Sequence, residues 1–237
     1  LSHTSGIYSY TNDREFMDKE VSNPATREKM LARFKDKPLD FSPGTKWSYS
    51  NSGYMLLGYI IEDVAKMPWE KAVREYIFNK AGMEHSGFDF THLQLPAKST
   101  GYFQIKSDSN IPAPIVDSSV SFAAGSIYST TGDLYKWFLS LQANKIMKAS
   151  SKAEAFTPVM ERYGYGWGVD TIAGQLTIGH SGGIHGFVSN MVFIPEDSTV
   201  VILLNNFSSS QLGNITKSLL SVIYNKPYEL PKEIKAI

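Results

Sequence analysis

A serine lies between glycines in the segment Gly179-His180-Ser181-Gly182-Gly183. This spacing matches G-x-S-x-G, in which a strained turn between a strand and a helix exposes a nucleophilic serine. Residues 176–178 before it are a strand candidate, but residues 187–194 after it alternate like a second strand, where the motif needs a helix. No histidine follows His185, so the chain order serine, acid, histidine fails as well. We therefore do not expect a nucleophile elbow here.

Metal and phosphate binding are the other chemistries that this segment suggests. His180 and His185 are five residues apart, a spacing that suits neither one face of a helix nor one face of a strand. No acidic residue or third histidine lies close to them in the sequence, and the chain has no cysteine. A phosphate loop would need a helix N-terminus directly after the glycines. We expect no metal ion and no cofactor.

Two segments far apart in the chain carry a resemblance to known proteins. Tyr49-Ser50-Asn51 lies where a turn leads into apolar residues at helical spacing, and His180-Ser181-Gly182 follows a strand candidate. They resemble the Y-x-N motif and the H-x-G variant of K-T-G in the serine β-lactamase and penicillin-binding-protein superfamily. The likeness is to its class C β-lactamase, D-alanyl-D-alanine carboxypeptidase and esterase branch. Similar stretches lie at residues 1–6, 124–130 and 163–168, so the resemblance covers essentially the whole chain.

The resemblance implies two catalytic residues. Tyr49 would carry the proton between the nucleophile and the leaving group, and a phenol with a pKa of about 10 does this only where nearby cations stabilise its anion. His180 would polarise the site and assist Tyr49 or a substrate carboxylate. Taken singly, each has a plainer interpretation, as a buried tyrosine and as a histidine bonded to backbone at a strand end. His3, in the family-like stretch at residues 1–6, is interpreted as structural.

The resemblance also implies a substrate-binding set. Asn51 would donate its amide N–H to the substrate carbonyl, although an asparagine here is equally typical of a helix cap. The backbone N–H of Gly183 would belong to the oxyanion hole, and paired glycines would let the substrate lie close to the strand. The full predicted set is Asn51, Ser181, Gly182 and Gly183.

The family's nucleophile is a serine in S-x-x-K, and no lysine of this chain has a serine three residues before it. Thr26-Arg-Glu-Lys29 has threonine instead, and Ser42 to Lys46 is one residue too long. We therefore expect the nucleophile to lie upstream of Leu1. The parent would be an acyl-enzyme hydrolase acting on a β-lactam, a D-amino-acid peptide, an amide or an ester, and this chain alone would be inactive. The alternative is a non-catalytic binding module of the same fold.

The periodicity predicts helices first and strands afterwards. Helices are expected at about residues 23–35 and 52–66, after Pro68, after a capping box at Thr130 and Asp133, and at about 210–224. Residues 84–125 are expected to form long connections. Strand candidates lie at residues 163–172, 175–178, 187–194 and 199–205, in the spacing of an antiparallel meander.

This order predicts an α+β fold, an antiparallel sheet flanked by helices with an added helical region and its N-terminal part missing. We expect one incomplete domain over residues 1–225, helical to 155 and carrying the strands and last helix from 156, then a linker or tail at 226–237. Without the missing helix, residues 54–64 and the strands near Val192 and Ile202 should expose apolar surface.

The composition limits the partners. Lys+Arg and Asp+Glu number 23 each, so there is no excess positive charge for nucleic acid, and no apolar run is long enough to span a membrane. We expect a small-molecule or peptide substrate, together with a complementing N-terminal segment or a swapped oligomer. The resemblance implies an extracellular, periplasmic or cell-envelope location, although no export signal is visible.

Overall fold

The computed structural model describes residues 1–106, 109–208 and 211–229. Five of its helices begin after a Ser, Thr or Asp whose side chain accepts a backbone N–H of the first turn. Helices α1 to α9 are Arg14–Lys19, Arg27–Leu31, Asn51–Ala65, Trp69–Val73, Asn79–Ala81, Ser118–Gly125, Thr131–Gln142, Ala149–Phe156 and Leu212–Ile223. A π-helical turn, Arg74–Phe78, joins α4 to α5.

Helix α3 matches the predicted helix to within a residue, whereas α2 is shorter than predicted. The Thr26 hydroxyl caps α2 by accepting from the Lys29 N–H at 3.2 Å, so the helix begins there and not at Pro24. The capping box at α7 is half formed. Thr130 accepts from the Asp133 N–H at 3.2 Å, but the Asp133 carboxylate accepts from the backbone N–H of His85 at 2.6 Å instead of returning to Thr130.

The main sheet is an antiparallel meander in which each strand pairs with the next. Strands β3 to β6 are Gly168–Ile172, Gln175–Ile184, Phe187–Phe193 and Val200–Asn205. The predicted α+β fold with an antiparallel sheet is therefore confirmed. Strand β4 is longer than predicted, because the glycine-rich segment continues it to Ile184 and the turn follows at His185 and Gly186. Gly186 has φ +80°, a left-handed conformation that favours glycine.

A second, two-stranded sheet lies within residues 84–125, where only connections were expected. Strands β1, Tyr102–Ile105, and β2, Asn110–Pro112, pair antiparallel. Both strands are short and β2 is exposed along its whole length, so neither has an apolar pattern long enough to predict it.

Both faces of the main sheet are covered by helices. Phe138 of α7 packs with Ile178 and Phe193 on one face. Leu220 of α9 packs with Val192 and Val201 on the other. A separate helical core joins the N-terminal region to α3 and α6, through residues that include Tyr10, Phe16, Met30, Met55 and Val120.

This packing decides where apolar surface is exposed. The expectation is confirmed on the C-terminal half of α3, where Ile60 is 55% and Val64 is 78% exposed. For the sheet it is wrong at Val192, which is buried under α9. Ile202 packs against the cluster around Phe138, but Leu204 on the same strand is 41% exposed.

Two sequence expectations concern the limits of the chain. Among the described residues, no helix has both the length and the apolarity needed to cross a bilayer. Of the predicted tail at 226–237, residues 230–237 lie outside the described part of the chain. The division into one domain and a tail stays a prediction.

Candidate active site

Two of the predicted site residues lie at the N-terminus of α3, Asn51 in its first turn and Tyr49 directly before the cap. Ser50, between Tyr49 and Asn51, caps the helix by accepting from the Gly53 N–H at 3.3 Å. Asn51 is therefore the first helical residue and not the cap. Its side-chain amide donates to the hydroxyl of Thr11 at 3.0 Å, and its backbone N–H donates to that of Ser9 at 3.0 Å. One segment distant in sequence, residues 9–11, thus holds Asn51 in place.

His3 lies directly beside this turn. Its Nδ1 accepts a hydrogen bond from the backbone N–H of Ser50 at 3.0 Å, and its ring centroid is 4.1 Å from that of Tyr49. His3 has φ 56° and is 5% exposed. Burial is the main cause that lowers the pKa of His3 to about 4. At neutral pH this ring is uncharged.

His180 lies across the site from Tyr49, on strand β4. The two ring centroids are 6.1 Å apart, so the fold brings the two predicted catalytic residues together. The Nε2 of His180 is 2.7 Å from the hydroxyl oxygen of Tyr163, and its Nδ1 is 2.6 Å from the carbonyl oxygen of Ser181. Both ring nitrogens are therefore occupied by this chain's own atoms.

Asn51 and Gly183 meet at one cavity, with a volume of about 370 Å³. Its lining residues are Tyr10, Thr11, Met17, Asn51, Phe103, Val116, Val120, Ser121, Ala124, Gly125, Gly183, Ile184, His185, Phe187, Val188 and Ser208. Most of this wall is apolar, and it includes no Lys, Arg, Asp or Glu from the described residues. Burial also lowers the pKa of His185.

The three residues after His180 differ in their surroundings, and all are exposed. A Cβ at Gly182 would collide with the Ser189 hydroxyl on the neighbouring strand, which would have to rotate away. At Gly183, a Cβ would meet no heavy atom of the described residues within 4 Å. Ser181 pairs with Asn190 in the sheet, and its substrate-binding role stays a prediction.

The tyrosines of the site are poor bases in this arrangement. Burial raises the pKa of Tyr49 above its ordinary value and raises that of Tyr54 to about 12. The pKa of Tyr163 is raised further, again mainly by burial. A Tyr49 phenolate at neutral pH would therefore need a cation that these neighbours do not supply.

Two site residues were not predicted as functional. His3 and Tyr163 pack against each other with ring centroids 5.0 Å apart, next to Trp47, Tyr49 and Tyr54. Both lie in stretches similar to the family, at residues 1–6 and 163–168, which is the one sequence signal that marks them. Their chemistry depends on neighbours far away in the chain.

The sequence model of the Beta-lactamase family matches residues 1–219. The chain belongs to this family. PbpX of Bacillus subtilis (strain 168), provisionally named a penicillin-binding protein, is 29% identical over 224 residues, which are 94% of this chain and 54% of PbpX. Penicillin-binding protein 4* of the same strain is 26% identical over 255 residues, 98% of this chain and 56% of the relative. The chain thus spans about half the length of these curated relatives.

Solved structures agree with the family in fold. A D-stereospecific amidohydrolase from Streptomyces sp. is 25% identical with a TM-score of 0.83, covering 96% of this chain and 72% of the other. The octameric penicillin-binding protein homologue from Pyrococcus abyssi is 25% identical with a TM-score of 0.82, covering 95% and 55%. The resemblance to the class C-like branch is confirmed, and the chain is a homologue of its serine hydrolases.

Proposed function

We propose that this chain supplies the tyrosine, asparagine and histidine part of a serine hydrolase site, whose nucleophilic serine comes from a segment outside this chain. One observation carries the proposal. Tyr49 lies 6.1 Å from His180 between ring centroids, and Asn51 shares a cavity with Gly183, so residues from two distant motifs meet in one place. In the reaction, the serine oxygen attacks the substrate carbonyl and the C–N or C–O bond breaks. Tyr49 passes the serine proton to the leaving group, and water then hydrolyses the acyl-enzyme.

The raised pKa of Tyr49 supports the proposal that the segment with the nucleophile also supplies a cation. Burial raises the pKa of Tyr49, so its phenol stays protonated at neutral pH. A lysine one helical turn after a serine would lower the cost of forming both the serine alkoxide and the Tyr49 phenolate. No S-x-x-K occurs in this sequence, and both groups would therefore arrive together from outside it.

The substrate we propose is an amide, peptide or ester rather than a β-lactam in particular. His180 replaces the lysine of K-T-G, and a relative at 25% identity is named a D-stereospecific amidohydrolase. The cavity beside Asn51 has a largely apolar wall without Lys, Arg, Asp or Glu among the described residues, so a group entering it is uncharged where it touches that wall. We also propose an extracellular, periplasmic or cell-envelope location, on the resemblance alone.

Active-site labelling tests the proposal. The 237-residue chain and the product of the same gene extended upstream are each treated with a fluorescent penicillin and a fluorophosphonate, followed by intact mass. We expect label on the extended protein only. In that protein, Tyr49→Phe should slow labelling about 100- to 10,000-fold, the range typical of losing a general acid–base group. Tyr135→Phe, at an exposed tyrosine on α7, is the matched control and should label normally.

Each of the other labelling outcomes would contradict a specific part of the proposed function. Label on the 237-residue chain that is lost in Ser181→Ala would restore the nucleophile elbow and overturn the outside nucleophile. Label on neither protein, with unlabelled substrate still binding, would favour the binding module, which the missing S-x-x-K also supports.

A further inference from the structure

Tyr163 enters the site from a tight turn. Its backbone N–H donates to the Met160 carbonyl at 2.9 Å, and the two residues before it, Glu161 and Arg162, have φ 48° and 57°. A Cβ at the following Gly164 would collide with the carbonyl oxygen of Ala155, so the chain passes close to α8 at this point. The Tyr163 side chain is 8% exposed. The constrained backbone therefore fixes the position of the Tyr163 hydroxyl beside His180.

The hydrogen bonds of His180 identify which ring nitrogen carries the proton. The carbonyl oxygen of Ser181 only accepts, so the Nδ1 of His180, 2.6 Å away, must donate to it. A neutral imidazole has one N–H, which leaves Nε2 without hydrogen and able to accept. The Tyr163 hydroxyl, 2.7 Å from Nε2, is then the donor.

The same reasoning assigns the opposite tautomer to His3. Its Nδ1 accepts from the backbone N–H of Ser50 at 3.0 Å, so its hydrogen is on Nε2. The two histidines that flank Tyr49, at 4.1 Å and 6.1 Å between ring centroids, thus present different nitrogens as donors. His3 serves as an internal reference for His180.

We propose that Tyr163 is a positioning residue, which holds His180 in one orientation beside Tyr49 with hydrogen on Nδ1 and with Nε2 accepting. Burial raises the pKa of Tyr163, so its hydroxyl keeps its hydrogen at neutral pH. In the proposed hydrolase, this arrangement keeps the imidazole from rotating towards substrate or solvent. That consequence rests on the proposed function, whereas the tautomer of His180 does not.

Nitrogen NMR of the 237-residue chain labelled at histidine tests the proposal without any catalysis. Spectra are recorded well above the ordinary imidazole pKa of about 6.5, so that the rings are neutral. His180→Gln identifies the His180 signals. We expect hydrogen on Nδ1 of His180 and on Nε2 of His3. Hydrogen on Nε2 of His180 in the unsubstituted chain would overturn the proposal.

Tyr163→Phe removes the donor and keeps the ring. The Nε2 resonance of His180 should then move downfield to that of a nitrogen with no hydrogen-bond donor, while the His3 signals stay in place and report an intact site. Tyr165→Phe, in the same sequence stretch, is the control and should change neither histidine. Unchanged His180 resonances in Tyr163→Phe would overturn the positioning role.

A kinetic measurement separates this proposal from the proposed function. In the extended protein, Tyr163→Phe should lower kcat about two- to tenfold, as expected for one hydrogen bond, while Tyr165→Phe should leave it unchanged. An unchanged kcat in Tyr163→Phe would overturn the functional part of the inference. If the extended protein shows no hydrolysis at all, the proposed function fails and the NMR result still decides the tautomer.

Discussion

The charge of the His3 ring affects the stability of the folded site. Its neutral Nδ1 accepts from the Ser50 N–H, and its ring packs against three tyrosines, Tyr49, Tyr54 and Tyr163. A protonated His3 could not accept this hydrogen bond and would place a charge inside the aromatic cluster. The residue therefore favours the fold only while it is neutral.

This gives a prediction of pH dependence. The pKa of His3 is lowered to about 4 in the folded chain, against an ordinary value of about 6.5 when unfolded. The unfolded state thus binds the proton first, and stability present above about pH 6.5 is lost as the pH falls towards 4, by at most about 3 kcal/mol. Urea unfolding across this range measures the loss.

His3→Asn is the comparison for that measurement, because asparagine tolerates the left-handed backbone found at position 3. We expect the variant to be less stable at neutral pH but to lose less stability on acidification. Carboxylates elsewhere also titrate here, so the difference between the two proteins is the relevant quantity. Parallel pH profiles for both proteins would contradict the assignment.

At the scale of elements, the orientation of α3 depends on its close contact with α6. A Cβ at Gly58 of α3 would collide with the Cβ of Ala123 and the ring of Phe122. Phe122 has φ 38°, an uncommon conformation for a large residue, so α6 is itself constrained where the helices touch. Because Asn51 is the first residue of α3, this contact between the helices helps to fix the position of Asn51 in the site.

We expect Gly58→Ala to destabilise the chain by about 1–3 kcal/mol, because the added methyl group would overlap Ala123 and Phe122 and push α3 and α6 apart. Gly53→Ala is the matched control in the same helix, since outside the helix backbone the nearest atom to its Cβ would be the Ser50 hydroxyl oxygen at 3.9 Å, an ordinary contact. That variant should be neutral or up to about 1 kcal/mol more stable. Denaturant unfolding compares the two, and equal effects would show that the crossing is not closely packed.

At the scale of the whole molecule, helices cover both faces of the sheet, while the outer face of α3 exposes apolar side chains, as that of α9 also does at Val222 and Ile223. Helices α7 and α9 bury the sheet, but Ile60 and Val64 of α3 remain 55% and 78% exposed. Large apolar patches are uncommon on folded monomers and mark surfaces that another element or chain covers. The exposed face fits the expectation of a complementing segment or a swapped oligomer, which stays a prediction.

Dye binding and light scattering test this expectation. The 237-residue chain should enhance the fluorescence of the hydrophobic dye ANS at least about twofold more than the extended protein does. A double change of Ile60 and Val64 to lysine should reduce the signal, whereas Leu39→Lys, at an exposed leucine outside α3, should not. A monomeric, high-melting chain without dye binding would contradict the idea that a large part is absent.

Local sequence patterns were enough to predict several of the helices and strands. Helix α3 and strands β5 and β6 were predicted nearly to the residue, because caps, turns and hydrophobic periodicity act over a few neighbouring residues. The resemblance to the family also linked Tyr49-x-Asn51 with His180-x-Gly182, although the spacing of either motif alone would not have done so. Predictions failed for β1 and β2, whose short strands lack an apolar period.

Only the tertiary structure decided which other groups join the site. Tyr163 and His3 belong to it because the Tyr163 hydroxyl bonds to His180 and the Nδ1 of His3 accepts from the Ser50 N–H, and no local pattern encodes such contacts. The same long-range packing excludes water from part of Tyr49, which is 42% exposed, and so raises its pKa. The sequence by itself determined which residue types stand at the two motifs. The fold decided their protonation, because burial and hydrogen bonding depend on what the rest of the chain brings to them.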